Sequence, residues 1–118
     1  MLRIQPLILA LAVIGLAGCA NDPAPNEQLR LSEQALEQAK AVGATEQVPE
    51  LKLAEEKLAR AKSNLATEDY RDARMRAEQA ELDARLAEAR VLTVKSEEQL
   101  QLLQTRVQRL RKQLEVQP

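Results

Sequence analysis

Only a few side chains of this 118-residue sequence are of types that do chemistry, and the single cysteine, Cys19, is the first of them. It follows an apolar run from Ile4 to Gly15, broken by Gln5 and Pro6 and preceded by Met1-Leu2-Arg3, which is the shape of a signal peptide. The run is shorter than the roughly 20 apolar residues that span a bilayer, and the small residues Ala17 and Gly18 suit a narrow peptidase subsite. One unpaired thiol in an exported chain calls for a reaction that consumes it. The remaining chemistry is sparse. There is no histidine, so the commonest general base and the commonest metal ligand are missing. Glu55-Glu56 and Glu97-Glu98 are neighbouring carboxylates, but adjacent helical residues point about 100° apart and do not converge on one substrate. With no Gly-rich loop and no second cysteine either, we expect no catalytic residue, no metal ligand and no enzyme.

The tetrapeptide Leu16-Ala17-Gly18-Cys19 resembles the lipobox of bacterial lipoproteins. That resemblance implies a diacylglyceryl thioether on the Cys19 sulfur, cleavage between Gly18 and Cys19, and acylation of the new amino group. These lipids, palmitate among them, would be the only non-protein groups. Two or three acyl chains, at about 0.8 kcal/mol per buried methylene, would hold the chain on a membrane. Ala20 stands where an aspartate retains many such proteins in the inner membrane, so the resemblance implies the periplasmic face of the outer membrane of a Gram-negative bacterium.

The elements that must present any functional surface are helical. Ala, Leu, Glu, Gln, Arg and Lys dominate, with no Trp, no Phe and one Tyr, the vocabulary of long helices with narrow seams. Few aromatics weaken any small-molecule pocket. Seventeen basic against eighteen acidic residues argue against nucleic acid as a partner. The organisation expected is a signal peptide over 1–18, a lipidated flexible tether over 19–25, an Ala-rich helical module over 26–96, and a coiled-coil-like helix extension over 97–118.

Asn26 is the expected N-cap of a first helix carrying Leu29, Leu36 and Ala39 on one face and stopping at Gly43. Pro49 and Glu50 suit the first turn of a second, in which Leu51, Ala54, Leu58, Ala61 and Leu65 recur at steps of three and four. Asp69 is the expected N-cap of a third, with Asp72 completing its first turn and no Gly or Pro from Tyr70 to about Val116. This third helix carries two stripes. One is Ala73, Ala77, Ala80, Ala84, Ala87, Val91 and Val94. The other is a heptad-like seam of Leu82, Leu86, Ala89, Thr93, Ser96, Leu100, Leu103, Val107, Leu110 and Leu114. The fold class expected is all-α: a helical hairpin or a three-helix, tetratricopeptide-like module with a long C-terminal helix of coiled-coil character.

The stretch from about Leu29 to Ala89, including Gly43-Ala44, Pro49-Glu50-Leu51 and Asp69-Tyr70, resembles a family of exported bacterial proteins known as a domain of unknown function. In that family an Ala-rich helical module follows a lipoprotein signal or precedes an OmpA-like domain. No activity or catalytic residue carries over from it. The expectation is therefore a non-enzymatic structural or protein-interaction module of the cell envelope. If the second helix covers only a similar length of the third, Leu100, Leu103, Val107, Leu110 and Leu114 lie on an overhang and form the interaction seam. That seam is expected to form a parallel coiled coil with other copies or to pack on a helical envelope partner. In the competing geometry the first two helices run end to end and cover the whole third helix. A further alternative is non-covalent contact with peptidoglycan through Arg106, Arg109, Arg111 and Lys112, since Val116-Gln117-Pro118 lacks a terminal lysine for covalent attachment; an accessory subunit of an envelope enzyme ranks last.

Overall fold

The computed structural model describes residues 22–116, so the expected signal peptide and the lipobox-like Leu16 to Cys19 lie outside the described residues, as do Gln117 and Pro118. Three helices make up the described chain: α1 (Asn26–Ala41), α2 (Pro49–Ala66) and α3 (Tyr70–Glu115). The 46 residues of α3 extend it to roughly 69 Å at 1.5 Å per residue, more than twice the length of either partner.

Each boundary has a local cause. Pro25, not Asn26, occupies the N-cap position of α1, and Asn26 is the first helical residue. With no N–H of its own, Pro25 still offers the carbonyl that accepts from Leu29 N at 3.0 Å. At the other end Gly43 N–H bonds to Lys40 O and Ala44 N–H to Ala39 O, each at 2.9 Å, the paired reverse bonds of a Schellman close. Gly43 adopts φ 105°, where a Cβ is strained, and so stops the helix as its residue type requires. Pro49 takes the first turn of α2, whose N–H groups have no intrahelical acceptor to lose. The α2 end repeats the Schellman geometry, with Glu68 N–H to Leu65 O at 3.1 Å and Asp69 N–H to Asn64 O at 2.9 Å. Here the left-handed residue is Glu68, φ 61°, and no glycine announces it. Asp69 is the N-cap of α3, although its side chain makes no capping bond.

The chain reverses between α1 and α2, which excludes the end-to-end geometry. Both short helices pack mainly on α3 and only lightly on each other. Ion pairs give the register. Lys40–Glu55 at 2.9 Å and Lys62–Glu33 at 2.7 Å make α1 and α2 antiparallel. Lys57–Asp83 and Arg90–Glu50, both at 2.6 Å, make α2 and α3 antiparallel. Gln28 Nε2 donates to Glu81 Oε2 at 2.7 Å, which sets α1 parallel to α3. The Glu55 carboxylate holds the Lys40 ammonium above its ordinary pKa. Hydrogen bonds from Arg85 first, then from Gln28, hold the Glu81 carboxyl below its own. The result is a three-helix, up-down-up bundle on the N-terminal half of α3.

Alanine builds the interior. Ala39, Ala54, Ala61, Ala73, Ala77, Ala84 and Ala87 are wholly inaccessible, and the larger core residues are Leu29, Leu36, Leu51 and Leu58. Small side chains on α3 let two helices approach its axis at once. Burying each leucine contributes about 1.5 to 3 kcal/mol relative to leaving it in water. Ser32 is the buried polar exception, and its hydroxyl donates to Leu29 O at 2.8 Å. Val91 packs against the core, whereas Val94, placed by its spacing on the same stripe, is exposed because α1 and α2 have already turned away.

Candidate protein interaction surface

Beyond Val91 every residue of α3 is exposed up to its end, and the last described intramolecular tie is Lys95 to the carbonyl of Val42. The overhang carries five large apolar residues of the expected seam, all more than two-fifths exposed: Leu100, Leu103, Val107, Leu110 and Leu114. Steps of three and four place them in one row, the a and d positions of a heptad with Leu100 at a. Solvated apolar side chains in an unbroken row are unusual on a lone helix, which makes the row the candidate contact surface.

The row does not begin at the overhang. Carried back in the same register it reaches Ser96, Thr93, Ala89, Leu86 and Leu82, and all five are exposed although α1 and α2 pack on this part of α3. The reason is angular. Ala84 and Leu86 are two residues apart, about 200° around the helix, so the alanine face turns inward and the leucine face turns directly outward. Leu82 is 67 % exposed and Leu86 52 %, as open as the overhang leucines themselves. The three-four spacing puts all ten residues on one stripe, whereas helix lengths alone would expose only the last five.

The two hydroxyl residues that interrupt the row have their polarity spent within the helix. Thr93 Oγ1 donates to Ala89 O at 2.8 Å and Ser96 Oγ to Leu92 O at 2.9 Å. Each hydroxyl has its acceptor one turn back, so a neighbour meets chiefly small, low-polarity bulk. Charge is segregated along the overhang, with Glu97 and Glu98 near its start and Arg106, Arg109, Arg111 and Lys112 near its end. Tyr70 is half-buried at the first position of α3. Among the described residues no group of three or more His, Cys, Asp or Glu side chains is placed to hold a metal ion, and no helix is long and apolar enough to cross a membrane.

Comparison with known proteins agrees with this architecture. The family described as Domain of unknown function (DUF4398) matches residues 27–103. The crystal structure of a DUF4398 family protein from Pseudomonas aeruginosa PAO1 is 64 % identical, covers 78 % of this chain and 96 % of its own, and superposes with a TM-score of 0.76. No curated protein matches the chain.

Proposed function

The chain belongs to the DUF4398 family, for which no activity is known, and from that footing we propose that it is a lipid-anchored, non-enzymatic interaction module of the bacterial cell envelope. The observation that carries the reading is the exposed leucine row of α3, running on past the helices that could have covered it. Burying each of its large residues is worth about 1.5 to 3 kcal/mol, a driving force for docking another helix. The Leu16-Ala17-Gly18-Cys19 sequence supports the anchor: lipid on Cys19, a tether through Pro23 and Pro25, and insertion in the outer membrane facing the periplasm. Arg74 fits this picture, since its guanidinium donates to Pro23 O at 3.3 Å and lies 3.9 Å from Asp22, tying the start of the described chain to the start of α3. The overhang therefore extends away from the anchored end of the rod. From Arg74 to Leu114 the helix spans about 60 Å at 1.5 Å per residue, a reach suited to contacts beyond the immediate anchor.

Cells fed an alkyne fatty acid test the anchor. Label on the wild-type chain and none on Cys19→Ser is the expected result, and label that persists on the variant refutes it. Crosslinking in intact cells followed by purification through the module tests the interaction. A second reading, non-covalent contact with the anionic cell wall, draws on the exposed Arg106, Arg109, Arg111 and Lys112. Co-sedimentation with isolated sacculi, lost when these cations are replaced, would favour it.

A further inference from the structure

We propose that the leucine row is covered by a second copy of this chain running antiparallel, with the twofold axis near residue 98. The inference rests on the interaction-module reading above and specifies its partner and geometry.

The pattern of side-chain sizes is the first argument. Along the row two large residues, Leu82 and Leu86, are followed by three small ones, Ala89, Thr93 and Ser96, and then by five large ones. In a parallel pair each residue meets its own copy, which stacks the three small layers and leaves them underfilled. In an antiparallel pair centred at residue 98, an a position meets a d position, and the small residues face Val107, Leu103 and Leu100 of the second copy. Leu86 then meets Leu110, and Leu82 meets Leu114. Both ends of the row coincide, so each of its ten residues has a counterpart. The hydroxyls of Thr93 and Ser96 already bond to Ala89 O and Leu92 O, so placing them against leucine strands no donor.

Charge is the second argument. The residues that flank a coiled-coil seam, the e and g positions, include Arg106 and Arg111. A parallel pair sets Arg106 against Arg111 of the other copy, twice, and like charges there select against that arrangement. The antiparallel pair sets Arg111 beside Asp83, twice. Asp83 bonds to Lys57 through Oδ2, leaving its other oxygen for a second cation. The like-charged contact in this register is Glu97 with its own copy at the axis. Moving the axis one heptad step toward the C-terminus would bring Arg90 against Arg111 and uncover Leu82.

Extent is the third argument. The row from Leu82 to Leu114 is about 50 Å long at 1.5 Å per residue, enough for ten layers, whereas the overhang alone supplies half of them. The overhang of each copy lies on the outer face of α3 in the other copy's bundle. Leu82 and Leu86 are exposed there and no other helix stands in the way. Anchored ends then fall at opposite ends of the pair, roughly 70 Å apart, and the rod lies along the membrane.

The test uses the full chain solubilised in mild detergent and a short bismaleimide, with the chain carrying only Cys19 as baseline. Leu86→Cys together with Leu110→Cys is expected to give a covalent dimer as the main product, at least tenfold above Leu110→Cys alone. These two positions are too far apart on one helix to join within a chain. A dimer from Leu110→Cys alone would mean the parallel arrangement and would overturn the proposal while leaving a self-associating module. Crosslinking of Leu110→Cys to a different polypeptide would overturn the second copy as occupant while leaving the interaction module. If neither variant crosslinks, although circular dichroism shows each to be as helical as the parent, the antiparallel pair is refuted. Reaction of the baseline chain through Cys19 would count against the lipid anchor alone.

Discussion

Lys95 Nζ donates to the carbonyl oxygen of Val42 at 2.5 Å, which joins the point where α1 ends to the point where α3 leaves the bundle. The acceptor is one of the carbonyls that a helix C-terminus leaves without an intrahelical partner, and it sits at the negative end of the α1 dipole. The lysine also covers the glycine turn, since a Cβ on Gly43 would lie 3.4 Å from Nζ. Replacing Lys95 by methionine keeps the aliphatic stem and removes the charge and the donor. A loss of about 1 kcal/mol is expected, read from the urea midpoint of the purified chain.

The two reverse turns give opposite responses to opposite substitutions. Gly43 and Glu68 occupy the same position after their helices and both have positive φ, 105° and 61°. Glu68 is exposed and carries the conformational cost of a side chain there. Glu68→Gly relieves that cost but loosens the unfolded chain, for a net gain of up to about 1 kcal/mol. Gly43→Ala introduces the same strain and should lose about 1 to 2 kcal/mol. Thermal unfolding of the two variants beside the parent measures both, and equal signs would contradict the turn geometry.

Acid should weaken the tie between α1 and α3. The hydrogen bonds from Arg85 and Gln28 favour the ionised Glu81, so its folded pKa lies below its unfolded one. Its contribution is complete above the unfolded value, near 4.3, and is lost as the pH falls through the lower, folded value. The parent chain should therefore lose stability more steeply than Glu81→Gln between about pH 5 and pH 3. Lys40 acts in the other direction: its raised pKa contributes below its unfolded value, near 10.4, and is lost only as the pH rises through the folded one. Neither pair should make stability vary between about pH 6 and pH 9.

The number, order and lengths of the helices were legible because proline, glycine and the alternating three-four spacing are local signals. Pro49 and Gly43 fall where their lost N–H and missing Cβ require, and α3 runs unbroken because nothing between Tyr70 and Glu115 can stop it. The second reversal was harder to read, since Glu68 is held left-handed by the chain on either side and not by its own preference. Whether α1 would reverse against α2 or continue its line was not readable either. That choice depends on pairs far apart in sequence, Lys40 with Glu55 and Glu33 with Lys62, which no periodicity reveals. On α3, Glu81 and Arg85 stand four apart and close at 2.6 Å, whereas Asp72 and Arg76 at the same spacing form no ion pair among the described residues. Exposed pairs of that kind contribute tenths of a kcal/mol, too little to fix a rotamer. The leucine row was visible as a stripe, but its extension over the back of the bundle follows from where the alanine face points.

The two faces of α3 make the sharpest prediction, because equal insults to them should have unlike consequences. Ala84 is fully enclosed by α1 and α2, so Ala84→Leu forces extra volume between helices already in contact. Overpacking of that kind costs about 1 to 3 kcal/mol. Leu103 is 55 % exposed and touches neither short helix, so Leu103→Asp should leave the bundle's own stability within about 0.5 kcal/mol of the parent. Its effect should fall on association instead, since a carboxylate in an apolar seam must be desolvated without a partner. Melting at several protein concentrations separates the two. Association binds only the folded form, so the parent's midpoint should rise with concentration, that of Ala84→Leu should rise in parallel from a lower start, and that of Leu103→Asp should stay flat. If Leu103→Asp unfolds the chain at low concentration as Ala84→Leu does, the overhang is not an independent surface and α3 is covered along its whole length.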